Sequence, residues 1–523
     1  MKTKTAAIAP GSTIHEVFCA NVTRQPDTAA IINGSATVSY RELDHRVGQM
    51  STLLGARGVK KGDRVAILSN ARIEVAIVFL ACARIGAIYV GLGTRLARPE
   101  LFYIFSDSRP SLIFSVDELD GRRYAEIVQA AAVETGLDNP IIFSATSPGL
   151  AEEVLHLLDA AASTSDITHP STGDPAVIIY TSGSTGAPKG ALLSNENLIV
   201  SSTAFIEHSP LRSARAISQL PIDHVAFVMC EMAAILMAGG TMVQLPRFDP
   251  KLVLEAIERH RVTLMLNFPT MIQRLLDSGL MDNYDLTSLE LVWWAGPLAP
   301  SSIAKVRKYS RAVAASYGMT EASGTISFTD ENATDTDLST TVGRPHPAIE
   351  VRIAHEGGDD APGEIQLRGR QIMLGYWNRP EATQGAFTQD GWFRTGDLGI
   401  IEDEILSIVG RSKELIRSGG YNILPSEVEI ALEEHADIVM AFVAGVPDPV
   451  YGEAVHAILH VREGAELEMD ALRAFLKERL SSVKVPKCIH LRAQLELLAN
   501  GKLNRPAMRQ ALIDLATNHT EIA

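Results

Sequence analysis

Residues 174–180 (DPAVIIY) form an apolar run of strand composition that passes without a break into Thr181-Ser182-Gly183-Ser184-Thr185-Gly186-Ala187-Pro188-Lys189-Gly190. Glycines let backbone N–H groups turn toward a ligand, hydroxyls supply further donors, and the lysine adds a positive charge. A buried strand ending in such a loop suits a polyphosphate. It is not the phosphate loop of the P-loop NTPases, because Lys189 is followed by Gly190 instead of Ser or Thr and the glycine spacing differs. Clusters of Gly, Ser and Thr are also ordinary surface turns, so the loop taken alone leaves both readings open.

The surrounding chain has a layered texture. Residues 64–68 and 262–267 read as short buried strands and 252–260 as a helix, an alternation that argues for α/β layers. Residues 351–352, 363–368 and 405–409 add short strands separated by turn residues, a β-rich subregion. After Gly410 and Arg411 the pattern changes to helices at 428–434 and 472–480 around a strand at 439–446, which is compact α+β. A chain of 523 residues exceeds what one core usually serves. The expected organisation is a large N-terminal domain of layered sheets and helices at 1–411 and a small α+β C-terminal domain at 412–523.

The formal charge of -15 argues against a broad nucleic-acid surface, which needs clustered Lys and Arg. Cys19, Cys82, Cys230 and Cys488 show no metal-ligand spacing, as in a reduced, cytoplasmic protein. The first residues lack the apolar stretch of a signal peptide, and the most apolar segment, 75–90, is interrupted by Arg84 and Gly86 and is too short to span a membrane.

Further motifs follow in order: LPIDH at 220–224, AGPL at 295–298, YGMTE at 317–321, GWFRTGDLG at 391–399, GRSKELIRSGGYNILPSEVE from Gly410 and NGKLNRPAMR from Asn500. Together with the loop at 180–190, this series resembles the adenylate-forming superfamily of acyl-CoA synthetases, peptide-synthetase adenylation domains and beetle luciferases. The form of the G-G-x-N segment and of Lys413 is most similar to the acyl-CoA synthetase and 4-coumarate–CoA ligase branch. The likeness runs from Val38 through the final lysine motif.

The resemblance implies ATP-dependent activation of a carboxylic acid as its acyl-adenylate, followed by transfer to coenzyme A, with Mg²⁺ as the metal. Two anions must then meet, so charge screening and alignment dominate the chemistry. By resemblance, Thr181, Ser182, Ser184, Thr185 and Lys189, with Gly183 and Gly186 between them, hold the β- and γ-phosphates. Glu321 binds Mg²⁺, and Thr320 bonds the α-phosphate. Tyr317-Gly318 and the Gly296-Pro297 backbone enclose adenine, while Asp397 and Arg411 hold the ribose. Lys502 reaches the reacting carboxylate and α-phosphate. Asp397 also reads as a solvated turn residue, and Lys502 as a surface lysine.

Lys413 matches the family hinge, about which the mobile small domain rotates between half-reactions. Gly419 and Gly420 match the channel of the pantetheine arm, and they also read as a hairpin turn. His224, Phe227, Cys230, Trp294, Ala315 and Met319 match the acyl pocket, and His224 also matches the catalytic aromatic gate beside the reacting carboxylate. Strand alternation sends Trp293 and Trp294 to opposite faces. In the pocket, Trp294 shortens it and selects a compact short-chain or aromatic acid; the alternative is that it turns into the core. Asp223, unusual at its position, either perturbs His224 or caps a helix starting near Val225.

Other readings stay open: an adenylating enzyme serving a carrier protein or another acceptor, or using the adenylate in specialised biosynthesis, or a silent ATP- or acyl-binding protein, against which Glu321, Asp397, Arg411 and Lys502 argue. The expected partners are the acid, ATP and CoA, without nucleic acid or a membrane span. A homodimer is compatible, though no residue pattern specifies one.

Overall fold

The computed structural model describes residues 8, 11–137, 140–145, 154, 156–157, 170–181, 188–209, 214–296, 298–330, 332–355, 362–465, 467–497 and 503–520. Two large sheets organise the first four-fifths of the chain. In the seven-stranded sheet, Arg64–Ser69 lies between Ile88–Gly93 and Leu112–Val116, parallel to both. Val65, Ala66, Ile67 and Leu68 are all buried, the signature of a parallel strand covered on both faces. Pro175–Thr181 joins the other side of Ile88–Gly93 and turns back through the antiparallel Lys189–Ser194. The short strand Gly375–Tyr376 closes that edge.

The nine-stranded sheet contains the parallel neighbours Arg215–Ser218, Leu264–Asn267, Leu291–Ala295 and Ala312–Met319. Helix Ile73–Ile85 is buried on every side except at Arg84 and ends on Gly86, whose φ of 74° is the left-handed value glycine adopts without cost. The apolar segment read at 75–90 is therefore a core helix followed by a core strand. Among the described residues no helix is long and apolar enough to cross a membrane.

The β-rich subregion is a four-stranded antiparallel sheet of Ile349–Ala354, Gly363–Gly369, Phe393–Glu402 and Ile405–Arg411. Its last strand delivers Arg411 opposite Asp397. One continuous apolar core extends from Ile14 to Leu406, and separate cores begin at Ile416. The strand Ile438–Asp448 alternates between two of these. Ala441 and Val443 pack with the helices Pro425–Glu433 and Met469–Lys477, whereas Phe442, Ala444 and Val446 pack with Met508 and Leu512 of the helix Arg505–Thr520. The mixed α/β architecture, with a large N-terminal and a small C-terminal part, matches the sequence expectation.

Candidate active site

Four of the parallel strands of the nine-stranded sheet deliver their next residues to one edge: the 219–224 segment with His224, then Phe268, Gly296, and the short turn Thr320–Ala322 with Glu321. Ligands of open α/β sheets bind outside the carboxyl ends of the strands, where loops leave the ladder and backbone groups are open to a ligand. Two glycines shape this edge. Gly296 has a φ of 112°, and a Cβ on Gly318 would lie 2.3 Å from the carbonyl oxygen of Gly324. Pro297 lies outside the described residues.

On one side of the edge, Tyr317, Asp397 and Arg411 form a chain of contacts. The Tyr317 hydroxyl donates to Asp397 Oδ2 at 2.5 Å, and Arg411 Nε donates to Asp397 Oδ1 at 3.0 Å. Burial, reinforced by the charge of Asp397, holds the Tyr317 phenol well above its ordinary pKa, so it remains a donor. Asp397 is 5% exposed, far from a solvated turn residue. Each of its oxygens keeps one further lone pair for an incoming hydroxyl.

On the other side are the stems of the glycine- and hydroxyl-rich loop. Thr181 and Lys189 face each other across the ladder, and Thr181 Oγ1 donates to the Lys189 carbonyl at 3.4 Å. Ser182, Gly183, Ser184, Thr185 and Gly186 lie outside the described residues. Both stems are bolted to the helix Arg98–Ser108. The Tyr180 hydroxyl donates to Asp107 Oδ2 at 2.8 Å, and the Tyr103 hydroxyl donates to the Pro188 carbonyl at 2.9 Å. Arg379 joins the two anchors, at 2.8 Å from Asp107 Oδ1 and 3.0 Å from the Tyr103 oxygen.

Glu321 sits between these sides. Its turn is gripped by the following loop, through Met373 N–H to the Glu321 carbonyl at 2.8 Å and Ser323 Oγ to the Gln371 carbonyl at 2.8 Å. Glu321 Oε1 accepts the Tyr376 hydroxyl at 2.9 Å, which leaves the second oxygen unused by that bond. No group of three or more His, Cys, Asp or Glu among the described residues forms a metal cage. A single carboxylate fits Mg²⁺, which keeps water and takes phosphate oxygens as its remaining ligands.

The acyl-side residues cluster near the same strand ends. His224 Nδ1 accepts the Ala226 N–H at 3.1 Å, and the ring stands edge-on to Phe268 at 5.0 Å. His224 is therefore itself the cap of the helix that starts at Val225, which sets aside capping, one of the two roles open to Asp223. With Nδ1 accepting, the neutral ring carries its proton on Nε2. The Asp223 carboxylate instead nests on Gly93, where a Cβ would lie 2.7 Å from Oδ1, and burial raises its pKa to about 6.

Phe227 and Cys230 are buried in a π-helical stretch, Phe227–Ala233, a wide-turn form that often marks functional sites. Cys230 Sγ lies 3.9 Å from Thr325 Oγ1, next to Gly318 in the ladder. Trp293 packs on Phe205 and Phe328 at ring distances of 4.9 and 5.2 Å. Alternation turns Trp294 to the opposite face, fully buried and in lateral register with Asn267 and Ala315. Met319 Sδ is 4.0 Å from the Tyr317 hydroxyl.

In the small domain, Gly419 and Gly420 have φ values of 56° and 84° and turn the hairpin between Ile416–Ser418 and Tyr421–Ile423. Two successive positive φ values define the hairpin geometry that favours glycine. Lys413 lies in the turn closed by Glu414 N–H to the Arg411 carbonyl at 3.0 Å. Lys502 lies outside the described residues.

The sequence pattern of the AMP-binding enzyme matches residues 18–377, and that of the AMP-binding enzyme C-terminal domain matches residues 427–502. The chain belongs to the AMP-binding enzyme family. Relatives include feruloyl-CoA synthase from Amycolatopsis sp, 34% identical across 93% of this chain and 96% of that protein. Indoleacetate–CoA ligase from Aromatoleum aromaticum is 33% identical across 93% and 95%. The fold superposes on ATP-bound MatB from Rhodopseudomonas palustris with a TM-score of 0.86 at 28% identity, covering 96% of this chain and 100% of that one. It also superposes on the amide bond synthetase McbA from Marinactinospora thermotolerans with a TM-score of 0.83 at 28% identity, covering 95% and 99%.

Four residues of this AMP-binding enzyme's site escaped the sequence reading: Tyr103, Asp107, Tyr376 and Arg379. The four-residue spacing of Tyr103 and Asp107 puts them on one helix face, but their partners come from distant segments.

Proposed function

We propose that this AMP-binding enzyme joins a carboxylic acid to coenzyme A in two steps. A carboxylate oxygen attacks the α-phosphorus of ATP and pyrophosphate leaves. The thiol sulfur then attacks the acyl carbonyl, the C–O bond to AMP breaks, and the thiol proton is lost as the thioester forms. The observation that carries the reading is the meeting, where the two large sheets adjoin, of the Tyr317–Asp397–Arg411 chain with Glu321 and the Lys189 stem.

In this reading Tyr317 and the Gly296-Pro297 backbone enclose adenine, and the spare lone pairs of Asp397 take the ribose hydroxyls beside Arg411. Thr181, Lys189 and the hydroxyls of Ser182, Ser184 and Thr185 hold the outer phosphates, with Thr320 on the α-phosphate. Glu321 holds Mg²⁺, which offsets phosphate charge when bound. Lys502 neutralises the carboxylate as it meets the α-phosphate. The small domain begins near Ser412, rotates about Lys413, and brings Gly419 and Gly420 to the pantetheine arm. The enzyme works in the cytoplasm.

Asp397→Asn keeps the shape but removes the charge facing Arg411 and the ribose. A charge-assisted bond is about twice as strong as a neutral one, so the KM for ATP should rise about tenfold or more with a smaller change in the KM for the acid. Equal changes in both constants would remove Asp397 from the ribose site.

We infer that Trp294 shortens the acyl pocket and selects a compact acid. A planar aromatic acid is the form supported by relatives named for feruloyl and indoleacetate groups. Trp294→Gly is expected to extend activity to bulkier acids without changing ATP affinity, as read by a chain-length and ring-size series. A preference of the native enzyme for long-chain acids, or an unchanged profile in the variant, would place Trp294 in the core alone.

The reading as a whole is tested by a panel of carboxylates scored for pyrophosphate release with and without CoA. Acid-dependent release with a thioester product supports the ligase. Acid-dependent release that ignores CoA and makes no thioester supports another acceptor, the reading favoured by the likeness to an amide bond synthetase. ATP binding without turnover on any acid would leave a silent binding protein.

A further inference from the structure

The segment Gly375–Tyr376 contributes only a two-residue strand to the edge of the seven-stranded sheet, yet its tyrosine touches both charged groups of the phosphate region. Tyr376 pairs with Ala191 in the ladder, one turn of the pleat from Lys189. From there its hydroxyl reaches Glu321 Oε1 at 2.9 Å, while the Lys189 ammonium lies 5.2 Å from the centre of its ring. The first contact joins the two large sheets, because Glu321 follows the last parallel strand of the nine-stranded sheet. The second is within the range at which a ring face attracts a cation.

The geometry has a chemical consequence. Lys189 and Glu321 carry opposite charges, and a direct ion pair between them would neutralise both before a ligand arrived. Among the described residues neither takes part in an ion pair. The aromatic ring stands at Lys189, and the hydroxyl occupies one oxygen of Glu321. A carboxylate that accepts a hydrogen bond on one oxygen presents the other to a metal in a fixed direction.

The position of Tyr376 is itself fixed. Its backbone N–H donates to Thr383 Oγ1 at 2.8 Å, and the next residue, Trp377, donates its backbone N–H to the Gly190 carbonyl at 2.7 Å and its indole N–H to the Asp107 carbonyl at 3.1 Å. The phosphate-loop stems and Tyr376 are thus held by one set of bonds.

We propose that Tyr376 is a positioning residue of the phosphate site, which stations the Lys189 ammonium with its ring and orients Glu321 with its hydroxyl, keeping the two charges apart and available to a nucleotide and its metal. The proposal rests on the reading of Glu321 as the Mg²⁺ carboxylate. It goes beyond that reading by assigning a device that sets the carboxylate's direction.

The test is calorimetric binding of ATP in excess EDTA and in Mg²⁺ to the full chain, in the native form and as Tyr376→Phe, Tyr376→Leu and Glu321→Gln. Tyr376→Phe removes only the hydroxyl and should cut the gain in affinity conferred by Mg²⁺ about five- to tenfold while leaving metal-free ATP binding unchanged, since a hydrogen bond to a charged group is lost. Tyr376→Leu removes the ring as well and should also weaken metal-free binding. An unchanged Mg²⁺ gain in Tyr376→Phe, with the gain lost in Glu321→Gln, overturns the role of Tyr376 and leaves Glu321 in place. A gain that survives in Glu321→Gln overturns the metal reading and the proposal with it.

Discussion

Lys502→Ala is expected to lower acid-dependent pyrophosphate release about 100- to 1000-fold, because in the proposed mechanism the lysine supplies the positive charge where carboxylate and α-phosphate meet and a single such donor contributes on that scale. Thioester formation from supplied acyl-adenylate and CoA should be nearly unchanged, since the proposed rotation withdraws the lysine before that step. The residues flanking 498–502 are well anchored. Leu497 and Leu503 form an antiparallel bridge, and Asn504 N–H donates to the Glu496 carbonyl at 2.8 Å. Arg505 then spans Glu429 at 2.9 Å and Glu414 at 2.7 Å, which ties the start of the last helix to the residue after Lys413. These bonds are made by residues other than Lys502, so a substitution there removes none of their partners. Half-reaction assays on the variant decide the matter; equal loss in both steps would remove Lys502 from the adenylation site.

The converse is expected of Lys413→Pro. Proline fixes φ, removes the backbone N–H and pushes the preceding Ser412 toward extended geometry, so the turn loses its freedom to change. Ser412 N–H donates to the Gly396 carbonyl at 3.0 Å, next to Asp397, so the turn is seated on the site it would have to leave. Adenylate formation should stay within a few-fold of the native rate, and CoA transfer should fall about 100-fold, the usual scale for a reacting group held out of place. Rapid-quench measurement of adenylate and thioester in single turnovers reads both. Unimpaired overall turnover would count against a rotating domain.

Much of this arrangement was legible in the sequence. The runs at 64–68 and 262–267 stood out because parallel strands are buried on both faces and read as continuous apolar segments, and they emerge as Arg64–Ser69 and Leu264–Asn267. The helix expected at 252–260 is Pro250–His260, with Asp249 as its cap. Local chemistry announces such elements. The contacts that complete the site are non-local. Nothing near Tyr376 in sequence points to Glu321, and nothing near Arg379 points to Asp107 and Tyr103 in an early helix.

The choice between the two roles of Asp223 at Val225 was hidden for a different reason. Aspartate is the better cap by propensity, but the turn aims the Asp223 carboxylate at Gly93 and brings the neighbouring imidazole into the capping position. The π-helical stretch that holds Phe227 and Cys230 was equally hidden, since a single wide turn leaves no periodicity to read.

The central claim, that a carboxylate attacks the α-phosphorus of ATP, is tested most directly by isotope transfer. The best acid from the panel, labelled with ¹⁸O in its carboxylate, is turned over with ATP and CoA, and the AMP is analysed by mass spectrometry. Passage through an acyl-adenylate leaves one carboxylate oxygen on the departing phosphate, so the account predicts AMP carrying one ¹⁸O per thioester formed. Unlabelled AMP, or label recovered in inorganic phosphate alongside ADP, would contradict it.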